Sequence, residues 1–168
     1  GMEQASGEYL GFLNSDDILL PDALMTLKKY IVNKNYPDFI FGSVRKHWGI
    51  LHGYKPWKIK FSWGFYSSHS TGFYIKNSSS KIIGKYDLRY KYSSDYDYFY
   101  RMIVKYKMKG MASKKNEIFG KFRRGGISSK ISFMDYLKET VRVRLDNGQN
   151  LLLVSIIFVL KYAKYLIN

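Results

Sequence analysis

The chain of 168 residues contains no cysteine. Disulfides and thiolate-bound metals are therefore excluded, and the composition fits a reducing compartment. Acidic residues are scarce, 13 against 28 Lys and Arg, which leaves a formal net charge of +15. Nucleic acid, anionic lipid headgroups and phosphorylated small molecules are the three partner chemistries that such an excess suits. No apolar run reaches the roughly 20 residues that a membrane-spanning helix needs. The first residues are polar and show no apolar segment of the signal-peptide kind. Internal repeats and low-complexity tracts are also missing.

What is present points to a packed domain. Hydrophobic residues make up 46% of the chain, with 16 Tyr and 11 Phe. That composition excludes wholesale disorder and favours sheet and crowded clefts over coiled coil. The length suits a single domain able to bury roughly 70% of its unfolded surface. The basic residues are uneven: Lys105, Lys107, Lys109, Lys114, Lys115, Lys121, Arg123 and Arg124 crowd one stretch. A solvated helix end and loop is the plainer reading of that cluster.

Gly7 to Leu13 reads as a short buried strand, with Tyr9, Leu10, Phe12 and Leu13 supplying the bulk. It ends in Asn14-Ser15 and then in two adjacent carboxylates, Asp16 and Asp17. Acids at the carboxyl end of a strand sit where open α/β sheets bind ligands, so the pair suits a cation. They could equally serve as partners for the positive end of a helix starting near Pro21. That helix is expected over 20–34, with Leu24, Leu27 and Ile31 on its apolar face. Strands are expected over 39–44, 47–51, 70–75 and 111–119, with an aromatic, irregular loop over 54–68. Further helices are expected over 77–83, 94–108, 131–145 and 151–167. Ser94 reads as the N-cap of the third, with Asp97 completing a capping box and Gly110 as the stop.

Four segments in order carry a family resemblance. Ala5 to Asp17 resembles the strand and DXD-type motif of family 2 glycosyltransferases with the GT-A fold. Ile83-Gly84-Lys85-Tyr86-Asp87 resembles the family's G-x-F/Y-D turn. Ser94-Asp95-Tyr96-Asp97 with Arg101 resembles its E/S-D-Y/W-D-x-x-x-R helix start. Phe122 to Ser128 resembles its R-x-G-G-I/V-S loop.

The resemblance implies an α/β fold: a partial GT-A-like mixed sheet with flanking helices over 1–130 and a C-terminal helical segment over 131–168. It implies an inverting transfer of sugar from a nucleotide-sugar donor to a saccharide or lipid-linked acceptor, in polysaccharide or glycoconjugate synthesis. Asp17 would hold Mn²⁺ or Mg²⁺, hard cations suited to oxygen ligands. Asp16 would contact the sugar or ribose. Arg123 and Arg124, on a loop freed by Gly125 and Gly126, would meet the diphosphate. His69 falls where related enzymes often carry a histidine on the donor side. Asp95 would be the general base, left over once Ser94 and Asp97 serve the cap.

Family members place nucleotide contacts on two βαβ units before the DXD strand. None precedes it here, so the chain is expected to be the metal and acceptor portion of a longer domain. An incomplete sheet would expose an edge near Tyr9 to Leu13 and invite self-association. Two other readings remain: a basic, aromatic nucleic-acid-binding module, which leaves the paired acids without a purpose, and a membrane-surface adaptor. The last helix, Leu151 to Ile167, reads either as a docked or interfacial helix with Tyr162, Tyr165 and the lysines at a headgroup boundary, or as core. A cytoplasmic protein, peripheral at the inner face of a membrane, would satisfy the transferase and adaptor readings together.

Overall fold

The structure is a computed structural model that describes residues 1–61, 70–122 and 131–167. Its strands form two four-stranded mixed sheets. The first has the order β1 (Tyr9–Gly11), β6 (Phe73–Lys76), β3 (Phe39–Phe41), β7 (Gly110–Ala112). The second has the order β2 (Ile18–Leu19), β8 (Ile118–Lys121), β4 (Ser43–Lys46), β5 (Gly49–Leu51). Within the first, β6 runs antiparallel to β1 and β3, while β3 and β7 are parallel. Within the second, β4 and β8 are parallel, with an irregular register between Ser43 and Val44.

One residue, Gly42, separates β3 from β4. Its N–H donates to the Gly72 carbonyl at 2.7 Å, and a Cβ there would lie 2.4 Å from the Phe119 ring. Glycine thus lets one extended stretch leave the first sheet and enter the second. That break brings the ends of β1, β2, β4 and β8 near the turn Ser70–Gly72.

Phe39, Phe41, Phe73, Ile75, Tyr98, Phe99 and Met102 form the centre of the core, all fully buried. Phe73 meets Phe99 edge-on with centroids 4.7 Å apart, and Phe41 meets Phe99 at 5.2 Å. Such pairs add to the 1.5–3 kcal/mol or so that burial of each ring contributes. This aromatic contact joins the first sheet to the helix α4 (Ser94–Tyr100).

Helices α1 (Ala23–Asn33), α2 (Pro56–Phe61) and α3 (Asn77–Ile83) precede α4, and α5 (Phe133–Asp146) and α6 (Leu151–Ile167) follow it. Several expectations need correction. The stretch 54–68 was expected to be irregular, yet Pro56 opens α2 with its fixed φ and missing N–H at a helix start. The strand expected over 111–119 is two strands, β7 and β8, in different sheets. The helix expected to 108 continues past Tyr100 as a π-helical turn over Arg101–Lys105 and ends there, and Gly110 opens β7 rather than stopping it.

The cap of α4 also differs. Ser93, not Ser94, holds the N-cap position, without a side-chain cap bond. Glu139 of α5 instead holds the residues that lead into the helix. Its carboxylate takes the backbone N–H groups of Lys91, Tyr92 and Ser93 at 2.9, 2.8 and 2.9 Å. Tyr90 donates to Asp146 at 2.7 Å and Asn147 to Asp97 at 2.9 Å, so α5 is fastened along the whole entry to α4.

Candidate active site

Asp17 follows the tight turn after β1, and its N–H donates to the Asn14 carbonyl at 3.1 Å. Its carboxylate is buried and accepts from the Thr71 hydroxyl at 2.5 Å and the Asn14 amide at 3.2 Å. Asn14 also reaches the Ser70 hydroxyl at 2.9 Å, which ties the acidic turn to the turn before β6. Asp16, one residue earlier, is exposed. β2 lies between these acids and α1, whose first residue is Ala23. The helix therefore begins later than the expected residue 20, with β2 between it and the acids in sequence.

The geometry of β8 makes the Thr71 contact. A Cβ on Gly120 would lie 2.3 Å from Thr71 Cγ2 and 2.8 Å from the Ile18 carbonyl oxygen. Gly120→Ala is expected to cost about 1–3 kcal/mol, because backbone on one side cannot yield, and to push Thr71 away from Asp17. Urea denaturation measures the cost, and an unchanged midpoint would contradict this account.

Asp95 stands in the first turn of α4, half-buried, with its carboxylate accepting from the Tyr96 N–H at 2.8 Å. Asp97, two residues on, is turned into the protein. It pairs with Arg101 at 2.8 Å and is almost wholly buried. Arg101 in turn donates to the carbonyls of Ile83 and Lys85 at 2.7 and 2.8 Å. This clamp fixes the turn Gly84 to Asp87, where Gly84 has φ +84°, ground that favours glycine. Asp87 holds the same turn by accepting from the Arg89 side chain and backbone, which lowers its carboxyl to about 2. Two of the four motif segments are thus mainly architectural, and Asp95 is the acid that takes no part in the clamp.

Tyr86 of that turn stacks on Tyr98 at 4.4 Å and meets Phe12 edge-on at 5.5 Å. Burial raises its phenol strongly, with the charges of Tyr98 and Asp95 adding to the effect. An aromatic column therefore connects the end of β1 with α4.

Lys46, the last residue of β4, ties the acids together. Its ammonium lies 4.7 Å from the centroid of the Phe122 ring, at the end of β8. Burial lowers its pKa, and the negative charges of Asp95 and Asp17 oppose that shift. One half-buried cation thus lies within electrostatic reach of both acids, which are far apart in sequence. Sequence reasoning missed Lys46 because it placed the residue in a turn between two strands. Its position at a strand's carboxyl end was the available signal.

Tyr136 of α5 also feels the charge of Asp95, and Lys161 of α6 lies against Tyr136. Burial raises the Tyr136 phenol, with Tyr96 and Asp95 contributing. Lys161 lies over the Tyr136 ring at 5.8 Å, and burial beside Arg144 brings its pKa down to about 8. Arg144 is fully buried and donates to the Lys60 carbonyl at 2.7 Å and the Gln149 amide oxygen at 2.5 Å. Its guanidinium also lies 5.6 Å from the Tyr96 ring centroid. Asp17 and Asp95 thus share the electrostatic surroundings of Lys46, and Asp95 also acts on the Tyr136 phenol. His69, Arg123 and Arg124 lie outside the described residues.

Among the described residues no cluster of three or more acids and histidines could enclose a metal by itself. If a cation is held here, Asp17 and Asp16 would supply its protein ligands, with the remaining positions left to other oxygens.

No family model matches the chain. Over 108 residues it is 36% identical to an uncharacterized glycosyltransferase of Methanocaldococcus jannaschii, an alignment covering 60% of this chain and 37% of that protein. Among solved structures it is similar to the S. aureus glycosyltransferase TarS, with a TM-score of 0.57 at 11% identity. That likeness covers 86% of this chain and 25% of TarS, and at such low identity it concerns the fold alone. The chain spans well under half the length of either protein. Its mixed α/β fold is similar to part of TarS, and part of its sequence is similar to the archaeal glycosyltransferase.

Proposed function

We propose that the Asp16-Asp17 turn and the start of α4 supply the diphosphate and acceptor part of an inverting, metal-dependent glycosyltransferase site of the family 2, GT-A kind. The observation that carries this reading is the buried Asp17 carboxylate, held by Thr71 and Asn14 beside the exposed Asp16. The partial sequence likeness to a glycosyltransferase supports it.

Asp95 takes the proton from an acceptor hydroxyl as that oxygen bonds to the anomeric carbon. The bond from that carbon to the diphosphate oxygen breaks, and its electron pair leaves with the diphosphate. Lys46 places a cation within electrostatic reach of Asp95. Asp16 contacts the donor sugar or ribose, and Asp17 holds Mn²⁺ or Mg²⁺. A cation there would offset the charge growing on the leaving group. Arg123, Arg124 and His69 are assigned to the donor side by resemblance. The substrates are a nucleotide sugar and a saccharide or lipid-linked acceptor.

Isothermal titration of nucleoside diphosphates into the native gene product, with and without Mn²⁺, tests this. Metal-dependent binding that Asp17→Asn weakens by roughly tenfold or more is expected, since one carboxylate supplies much of the protein's hold on the cation. Binding that ignores both the metal and the substitution would overturn the assignment.

A further inference from the structure

We infer that α6, with the adjoining helix α2, is a docking surface for anionic phospholipid bilayers. α6 packs against α5 through Val154, Ile157, Lys161 and Tyr165, and Tyr165 stacks on Phe133 at 4.1 Å. At helical spacing the opposite face carries Leu152, Ile156, Val159, Ala163 and Leu166. Leu152 is 71% exposed, Val159 60% and Leu166 66%. No charged residue interrupts this face. A solvated helix would place polar residues there, so an uninterrupted apolar face signals something that covers it.

Three observations favour lipid. α2 meets the α5–α6 corner, where Arg144 and Gln149 both donate to the Lys60 carbonyl. That short helix presents Trp57, 51% exposed, among Lys55, Lys58 and Lys60. Tryptophan and lysine beside an apolar helix are the side chains that settle at a headgroup boundary. Second, a net charge of +15 attracts anionic lipid and opposes pairing with another copy carrying the same charge. Third, the apolar stripe follows heptad spacing for 17 residues only, fewer than the three to four heptads or so that mark a coiled coil. No helix among the described residues is long and apolar enough to cross a membrane. The helix therefore lies on the surface of the bilayer, with its apolar face turned to the acyl boundary.

Co-sedimentation of the whole chain with vesicles tests this without requiring transfer activity, so it stands or falls apart from the proposed reaction. Binding is expected to phosphatidylcholine vesicles containing phosphatidylglycerol and to be far weaker on phosphatidylcholine alone. The double variant Ile156→Glu, Val159→Glu should bind at least about tenfold more weakly, since charges then face the acyl chains. Lys55→Gln with Lys60→Gln should weaken binding by about fivefold per lysine. These two surface changes keep the test decisive if the α6 variant loses its near-ultraviolet circular dichroism. Equal binding to both vesicle types would overturn the inference. So would a dimer in sedimentation velocity that forms in place of vesicle binding.

Discussion

Asp95→Asn in the native gene product is expected to lower kcat for sugar transfer by about 10²–10⁴-fold, the usual worth of a positioned general base. The amide keeps the size of the carboxylate and can still accept from the Tyr96 N–H, so the start of α4 should keep its shape. Nucleoside diphosphate affinity should change little, since the assigned metal ligand is Asp17. Loss of turnover with retained binding separates a base from a residue that merely shapes the helix. Transfer at the wild-type rate would remove Asp95 from the mechanism. The variant also reports on Lys46. Removing the carboxylate takes away one of two charges that oppose the burial-driven fall in the Lys46 pKa. That pKa should therefore drop further in the variant, and NMR titration of the lysine would follow it.

Arg101→Met is expected to lower stability by about 3–5 kcal/mol, the range for removing one partner of a buried pair. Asp97 is then left buried with Asn147 alone among its described partners, its side chain only 3% exposed. The carbonyls of Ile83 and Lys85 lose their donor in the same step. Methionine preserves much of the aliphatic volume, which separates loss of the charge from loss of packing. The change is read as a lower denaturant midpoint with little change in slope. Asp97→Asn should cost less, since its amide oxygen can still accept from Arg101. Equal stability in wild type and Arg101→Met would mean that the clamp is dispensable and that its match to the family pattern has another cause.

Most helices were legible from local pattern. α1 and α5 follow from apolar spacing, and α3 from its place before Gly84. α4 was legible as a helix, but its capping was not. Ser94 and Asp97 have capping-box spacing, yet Asp97 gains more from Arg101 and Asn147 in the interior, and Glu139 of α5 holds the turn leading into the helix. A side chain forty-odd residues away outcompetes a local partner because burial strengthens its hydrogen bonds. The two-sheet arrangement was hidden for a similar reason. Nothing local distinguishes a strand that continues past Gly42 from one that changes sheet there. Only the ring of Phe119 and the carbonyl of Gly72 decide it.

The amino-acid sequence by itself determined the acids and the family resemblance. It also determined the apolar last helix and the excess of positive charge. These are properties of residue type and short-range order, set by side-chain chemistry and periodicity along the chain. Only the tertiary structure decided that Asp87, Asp97 and Arg101 hold a turn in place, while Asp17 and Asp95 both act electrostatically on Lys46. Only it turned one face of α6 inward and left the other bare. Those outcomes depend on which distant segments meet, and contact across space has no signature in the order of residues.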